Sequence, residues 1–296
     1  MPGEVDRIAA IRDPFELLRE ATTRMAAAQV EVTELARLRR RVIQELHESG
    51  MSYAHIAQEV GLTRGRIHQI RHGGPAPEGA FLGMGRVSIA TPLKEEAIRA
   101  RPVIAIEDVA ASQRLGELAR SLGLEPSFEH VPVGGDIDLN RPNLVVICGP
   151  RISDAVAQVL AQDPVLQFER ASDGPWTLVD RATGIVYRSG QDQDPPTASD
   201  VAYLARLPRP DGLGSLIVFT GIHPPGSLGV VHLICTQLTE LFAQVKTANF
   251  SVLVGTEYEA GTNEPREVKT LTPFYRFEEG NHAGHDGDEP RESRPA

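Results

Sequence analysis

Residues 216–231 read LIVFTGIHPPGSLGVV, a short apolar run that leads through glycine and proline into a second apolar segment. Residues 143–156, NLVVICGPRISDAV, repeat this arrangement. A strand that is apolar along its whole length is typical of a sheet covered on both faces, and strands that alternate with helices form parallel α/β sheets. The two segments therefore predict an α/β domain with a mostly parallel sheet, which we place over residues 102–278.

Other segments of this region extend the same pattern. Residues 102–109 predict the first strand, residues 181–184 the turn of an antiparallel hairpin, and residues 227–248 a long helix. The order of these elements is similar in layout to nucleotide-sensing Rossmann-like domains. We therefore expect a Rossmann-like domain that senses a ligand or pairs subunits.

The turns after the two apolar strands are candidate ligand sites, because ligands of such sheets bind beyond the carboxyl ends of the strands. Free backbone N–H groups at a helix start attract anions. The candidate residues are Gly149, Arg151, Ser153, Gly221, His223, Gly226 and Ser227. We expect a small anionic or nucleotide-like ligand there, with no cofactor implied. Ordinary strand-to-helix connectors are the open alternative, since neither turn matches a phosphate-binding motif.

A different module precedes this domain. Residues 52–73 read SYAHIAQEVGLTRGRIHQIRHG, and the stretch 37–72 contains seven arginines and three acids, a net charge of +4 in a chain of net charge −10. Ser52 and Thr63 are suited to cap two short helices joined at Gly61. Such a spacing predicts a helix-turn-helix whose second helix exposes arginine and glutamine donors suited to a major groove.

The apolar residues of this module predict its packing. We expect the first short helix to bury Ile56, Ala57 and Val60, and the second to pack Ile67 and Ile70 against them. Before them, residues 14–28 and 30–48 predict two further helices. The inward face of the second is expected to contain Val32, Leu35, Leu38 or Arg39, Val42 and Leu46.

Residues 52–70 resemble the helix-turn-helix of region four of bacterial sigma factors and of related actinobacterial regulators, in which the pattern [ST]-[YF]-x-x-I-A-x-x-[LV]-G-[LVI]-[ST]-x-x-[RT]-[VI] is usual. The match extends over residues 33–73, but the chain lacks a recognisable polymerase-binding or promoter-melting region. The resemblance implies that Thr63, Arg64, Arg66, His68 and Gln69 face the groove, and that Tyr53, Arg39, Arg40 and Arg71 contact phosphates.

The sequence therefore predicts a sequence-specific transcriptional regulator of double-stranded DNA. The predicted domains are a helical DNA-binding domain (1–73), a linker (74–101), the α/β domain (102–278) and a disordered tail (279–296). One recognition helix buries little surface, so we expect a homodimer or a higher homo-oligomer, paired through the first helix or the α/β domain.

Two alternatives are left open. One is a nucleotide-processing enzyme that uses the helical module for docking, with His223 as acid or base. A carboxylate could come from Glu107, Asp108, Asp136, Asp138 or Asp211, although each is more typical of a cap or a turn. No motif pairs these residues with a nucleophile. The other alternative is a structural adaptor that binds polymerase or another protein.

The sequence also bears on secretion, membrane insertion and disulfide bonding. The acidic, proline-containing start differs from a secretory signal, and no apolar run reaches the roughly 18 residues of a membrane span. We expect a cytoplasmic protein without membrane contact. Cys148 and Cys235 lie in apolar stretches and are expected to be buried rather than disulfide-bonded. His282 and His285, in the predicted tail, are expected to hold no metal.

Overall fold

The computed structural model describes residues 4–73, 76–96, 98–99, 101–172 and 174–276. The helices are α1 Glu4–Ala9, α2 Pro14–Glu48, α3 Tyr53–Glu59, α4 Arg64–Gly73, α5 Ile106–Ser121, α6 Asp154–Leu160 and α7 Pro224–Val245, with short 3-10 helices at Pro77–Phe81 and Gly190–Asp192. The strands are β1 Arg86–Pro92, β2 Lys94–Glu95, β3 Pro102–Val103, β4 Glu125–Val131, β5 Leu144–Ile147, β6 Leu166–Arg170, β7 Trp176–Asp180, β8 Ile185–Arg188, β9 Ser199–Pro208, β10 Ser215–Gly221, β11 Phe250–Tyr258, β12 Pro265–Thr270 and β13 Tyr275–Arg276.

One mixed sheet of eight strands organises the larger part of the molecule. Its order is β12-β11-β9-β10-β5-β1-β4, with β13 added beside β11. The neighbours β10, β5, β1 and β4 are parallel, whereas β9, β11 and β12 each pair antiparallel. The predicted α/β class is therefore confirmed, but the sheet is mixed, with mostly parallel central strands, and is not the mostly parallel sheet that we predicted.

Both faces of this sheet are covered. On β5, Val145 and Ile147 pack with α5 and α7, whereas Val146 and Cys148 face α6 and the small antiparallel sheet β6-β7-β8. Successive strand side chains point to opposite faces, so a strand between two layers needs apolar residues at every position. This requirement explains the unbroken apolar run of β5. The predicted hairpin is confirmed by the pairing of β7 with β8.

Helix α7 is, within the described part of the chain, the one helix long and apolar enough to cross a membrane, with a window hydropathy of 1.3. In the structure it packs on β9, β10 and β11 and against α5. Its apolar composition is accounted for by this position in the protein core. Cys235 on α7 is exposed, contrary to our expectation, while Cys148 is buried.

The helices α2, α3 and α4 form a small bundle at the other end of the chain. Its core consists of Ile43, Ile56, Ala57, Ile67 and Ile70. Residues 14–48 form one continuous helix instead of the two that we predicted, because no glycine or proline interrupts them after the start. Thus a single helix of 35 residues connects the chain start to the bundle.

Most of the expected inward face of α2 is exposed. Val32, Leu35, Leu38 and Val42 are 40–59% exposed, whereas Ile43 belongs to the bundle core and Leu46 packs against it. The buried charged residue of α2 is instead Arg37, which is 2% exposed. Val60, which caps the end of α3, is likewise 54% exposed and does not face inward.

Two boundaries of the α/β domain also differ from prediction. Residues 86–92 were assigned to the linker 74–101, but they form β1 in the parallel part of the sheet. Residues 102–109 are not a strand of this sheet: β3 pairs with β2 in a separate two-stranded sheet, and α5 begins at Ile106. The sequence of β1 does not show a strand pattern, because the polar Ser88 and Thr91 interrupt it and glycines and prolines flank it. The predicted tail 279–296, with His282 and His285, lies outside the described residues.

Candidate functional site

The first candidate site is the exposed face of α4. Thr63 caps this helix, since its Oγ1 accepts a hydrogen bond from the backbone N of Arg66 at 3.1 Å. Ile67 and Ile70 point into the bundle and are 0% and 5% exposed. The intervening positions therefore face solvent, and Arg64, Arg66, His68 and Gln69 are all exposed.

Neighbouring polar side chains on this face of α4 contact one another. Arg66 donates from Nη1 to Oε1 of Gln69 at 3.2 Å, which leaves the remaining N–H groups of both side chains free to bond elsewhere. One turn away, the His68 and His72 rings lie 4.3 Å apart. The face thus presents guanidinium, amide and imidazole groups along about two helical turns.

A second row of groups borders α4. The guanidinium of Arg71 lies 4.2 Å from the centre of the Tyr53 ring, and Tyr53 stacks on His47 at 3.9 Å. The pKa of His72 is lowered mainly by the positive charge of His68. Desolvation and the positive charges of Arg71 and Arg40 lower it further. Positive charge is therefore concentrated where α2, α3 and α4 meet.

Ion pairing leaves most of this charge uncompensated. Among the described residues, no carboxylate lies within ion-pair distance of Arg39, Arg64, Arg66 or Arg71. By contrast, Arg37 and Arg41 pair with glutamates of α2. Exposed cations without intramolecular partners are available to external phosphates.

The second candidate site is a cleft where β1, β5 and β10 end at the same edge of the sheet. Its lining includes Gly149, Arg151, Gly221, His223 and Ser227, so five of the seven predicted ligand residues come together. Side chains of Phe168 and Trp176 from the small sheet also line it. The free space is about 30 Å³, room for about one or two water molecules. A space of this size matches a small ion more closely than a nucleotide.

The charged groups of the cleft favour an anion. Lys94 follows β1, and its Nζ lies 3.7 Å from Oδ2 of Asp108. Asp108 is 3% exposed, and burial raises its pKa to about 6. Arg151 is exposed and has no ion-pair partner among the residues that the structure describes, while Nε2 of His223 lies 3.0 Å from each carboxylate oxygen of Asp192. The cationic groups thus outnumber the one carboxyl group that lines the cleft.

The start of α7 differs from our expectation of free backbone donors. Pro224 and Pro225 have no N–H group, and the N–H of Gly226 donates to Oδ2 of Asp200 at 3.0 Å. The N–H of His223 donates to the same oxygen at 2.9 Å. Gly226 therefore supports Asp200 and does not line the cleft, and an added Cβ there would lie 2.5 Å from that carboxylate.

Asp200, at the start of β9, was not predicted from the sequence. It is 2% exposed, its Oδ1 has no hydrogen-bond partner among the residues that the structure describes, and burial raises its pKa to about 6. Asp192 and Lys94 were missed too, because an isolated carboxylate in a loop and a lysine in an assumed linker have no distinguishing sequence pattern. Only the three-dimensional arrangement brings Lys94 into the cleft and places Asp192 and Asp200 against His223, which lines it.

At the start of α6, the Ser153 side chain is already hydrogen-bonded within the protein. Ser153 is buried, donates to the Gly135 carbonyl at 2.6 Å and accepts from the N–H of Val156 at 3.3 Å. It therefore caps a short helix and lies outside the cleft lining. Gly149 allows close packing, since a Cβ at that position would lie 2.9 Å from Oγ1 of Thr220.

The cleft is better suited to binding than to nucleophilic catalysis. The Ser227 hydroxyl accepts a hydrogen bond from the N–H of Gly221, and the Thr220 hydroxyl donates to the Gly221 carbonyl. Burial raises the pKa of the nearby Cys148 thiol to about 12, which keeps it protonated. In the described residues, none of these groups is bonded to a general base.

Comparison with known proteins finds no matching family model, no matching curated protein and no matching solved structure. The resemblance of residues 33–73 to region four of sigma factors therefore stays a prediction.

Proposed function

We propose that this chain is a cytoplasmic transcriptional regulator that binds double-stranded DNA through a helix-turn-helix formed by α3 and α4. The larger, Rossmann-like domain would hold the module in place and respond to a small anion. The observation that supports this proposal best is the exposed face of α4, which presents Arg64, Arg66 and Gln69 to solvent with no carboxylate among them.

The turn before α4 supports the same proposal. The N–H of Leu62 donates to the Ala57 carbonyl at 2.8 Å, and Gly61 has a φ of +66°, a left-handed conformation that favours glycine. This turn places α4 across α3 with its polar side outward. A helix held in this way can enter a major groove, where arginine and glutamine hydrogen-bond to base edges.

Dimer formation through α2 completes the proposal. The exposed residues Leu18, Met25 and Val32 recur every seven positions along α2. Apolar residues at this spacing are typical of a helix that packs along another helix. Two copies paired along α2 would present two recognition helices to a two-part DNA site.

Gel-shift titration on genomic fragments tests DNA recognition. We expect Arg66→Ala and Gln69→Ala each to weaken specific binding by about 1–3 kcal/mol and to relax sequence preference, since each removes a donor that reads bases. Arg19→Ala is the matched control, because Arg19 is an exposed cation near the far end of α2. Unchanged sequence preference in both α4 variants, or an equal effect of Arg19→Ala, contradicts the proposal.

A further inference from the structure

A large groove lies between α2 and the amino-terminal edge of the parallel strands, opposite to the cleft. Val30, Leu35 and Leu38 line it from α2, and Leu82, Leu144 and Leu216 line it from the α/β domain. We call it the α2 groove. It encloses about 770 Å³, within the range of about 300–1,000 Å³ that is usual for small-molecule sites. Its walls are mainly apolar, so its occupant has an apolar body.

Arg206 on β9 supplies a buried positive charge at this groove. It is 4% exposed, and its guanidinium donates to the carbonyl oxygens of Phe81 and Lys246. No carboxylate within the described part of the chain forms an ion pair with it. Burial alone lowers its pKa to about 10. The guanidinium also lies 5.3 Å from the centre of the Phe81 ring and 6.0 Å from that of the Phe250 ring. A buried cation whose partners are carbonyl dipoles and aromatic rings gains from an added negative charge.

The other charged groups of the groove do not supply that charge. Glu34 is bonded to Arg37, and Arg41 lies 3.9 Å from Glu45 on the same helix. Glu31 is on the exposed side of the groove. The buried guanidinium of Arg206 is therefore left without an ionic partner beside a mainly apolar space.

We propose that the α2 groove binds an amphipathic monoanion, a molecule with an aliphatic or aromatic body and one carboxylate that pairs with Arg206. Apolar walls and one uncompensated cation together select this class over neutral apolar molecules and over amines.

Such a ligand would contact the two parts of the molecule at once. Leu35 and Leu38 belong to the helix that continues into the α3–α4 bundle, whereas Arg206 and Leu216 belong to the sheet. A bound molecule therefore favours one orientation of α2 relative to the sheet. The effect on DNA rests on the function proposed above, but the binding itself does not.

Isothermal titration of the full chain without DNA tests the binding, with octanoate as the anionic probe. Octan-1-ol and octylammonium have the same chain length with neutral and positive head groups. We expect one saturable site for octanoate, with an affinity at least about tenfold above that of octan-1-ol, because a hydrogen bond to a charged group is worth about 1.5–3 kcal/mol. Octylammonium should not bind.

Two variants on α2 locate the site. Leu38 lines the groove and is 43% exposed, while Val42 does not line it and is 40% exposed. Leu38→Glu should weaken octanoate binding by about tenfold or more, and Val42→Glu should leave it within about twofold. Arg206→Gln should reduce octanoate to the affinity of octan-1-ol; if it fails to fold, the Leu38→Glu result decides.

Other outcomes overturn the inference. They are an absence of saturable octanoate binding, equal affinity for octanoate and octan-1-ol, or equal effects of Leu38→Glu and Val42→Glu. A dimer that dissociates in Leu38→Glu without any octanoate binding would assign the groove to a second copy of the chain instead. DNA binding by the ligand-free protein is a separate measurement, so failure of this inference and failure of the proposed function can be told apart.

Discussion

Replacement of Arg37 by methionine tests how the helical bundle is held on the α/β domain. Arg37 is 2% exposed, and its Nη2 donates to the Leu122 carbonyl at 2.6 Å while its Nε donates to the Ala76 carbonyl at 3.0 Å. Its Nη1 also pairs with Glu34 at 2.5 Å. Methionine keeps much of the aliphatic volume but removes every donor.

The expected loss follows from these contacts. Two carbonyl groups lose their donors at about 1–3 kcal/mol each, and a largely buried glutamate loses its cation. Breaking a buried ion pair from one side typically costs about 3–5 kcal/mol, and we expect Arg37→Met to lower the free energy of unfolding by that amount.

Urea denaturation measures this change, and the structure offers a matched control. Lys246 also links the α/β domain to α2, through Glu45 at 3.1 Å, but these two side chains are 52% and 37% exposed. Lys246→Met should therefore cost less than about 1 kcal/mol. If Arg37→Met destabilises the protein no more than Lys246→Met, the argument that a buried arginine holds the two parts together is refuted.

Three further predictions concern packing, pH and salt. Gly229→Ala should lower the free energy of unfolding by about 1–3 kcal/mol in urea titrations, because the added Cβ would lie 1.8 Å from Oγ1 of Thr256. Gly65→Ala is the control: its Cβ would lie 3.9 Å from the nearest neighbour, so it should stabilise the protein by up to about 1 kcal/mol. Equal effects of the two substitutions would contradict the packing argument. Asp108, with a pKa of about 6, loses its negative charge as the pH falls, so calorimetry should show tighter sulfate binding to the cleft at pH 5 than at pH 7.5. If the Asp108→Asn variant keeps this pH dependence, Asp108 is not the group that causes it. Arg39→Gln should reduce the slope of log affinity against log salt in DNA titrations by about 0.9 per chain, and an unchanged slope means that Arg39 makes no phosphate contact.

Sequence patterns predicted the elements whose apolar runs are long or flanked by clear signals. β5 and β10 are apolar at nearly every position and lead into glycine, so both were found. β1 was missed because Ser88 and Thr91 interrupt its apolar residues among glycines and prolines. A strand can include polar residues in the sheet when hydrogen bonds satisfy them, as the Ser88 hydroxyl does with that of Ser127 at 3.2 Å.

The candidate sites were predictable to different degrees. Exposure of Arg64 and Gln69 follows from helical periodicity, since Ile67 and Ile70 define the opposite side of α4. Charged residues that depend on distant chain segments were not predictable. Arg206 is such a residue, because its burial results from the packing of β9 beside the first 3-10 helix and the loop after α7.

The continuity of α2 has a geometric consequence for the DNA binding that we propose. About eleven residues separate the Arg37 contact from the end of the helix, a length of about 16 Å at a rise of about 1.5 Å per residue. A pivot of about 10° at Arg37 would then displace the attached bundle by about 3 Å, close to the spacing of about 3.4 Å between stacked base pairs. If α4 reads base edges as proposed, a small change of angle at this one buried arginine would therefore shift its contacts by about one base-pair step.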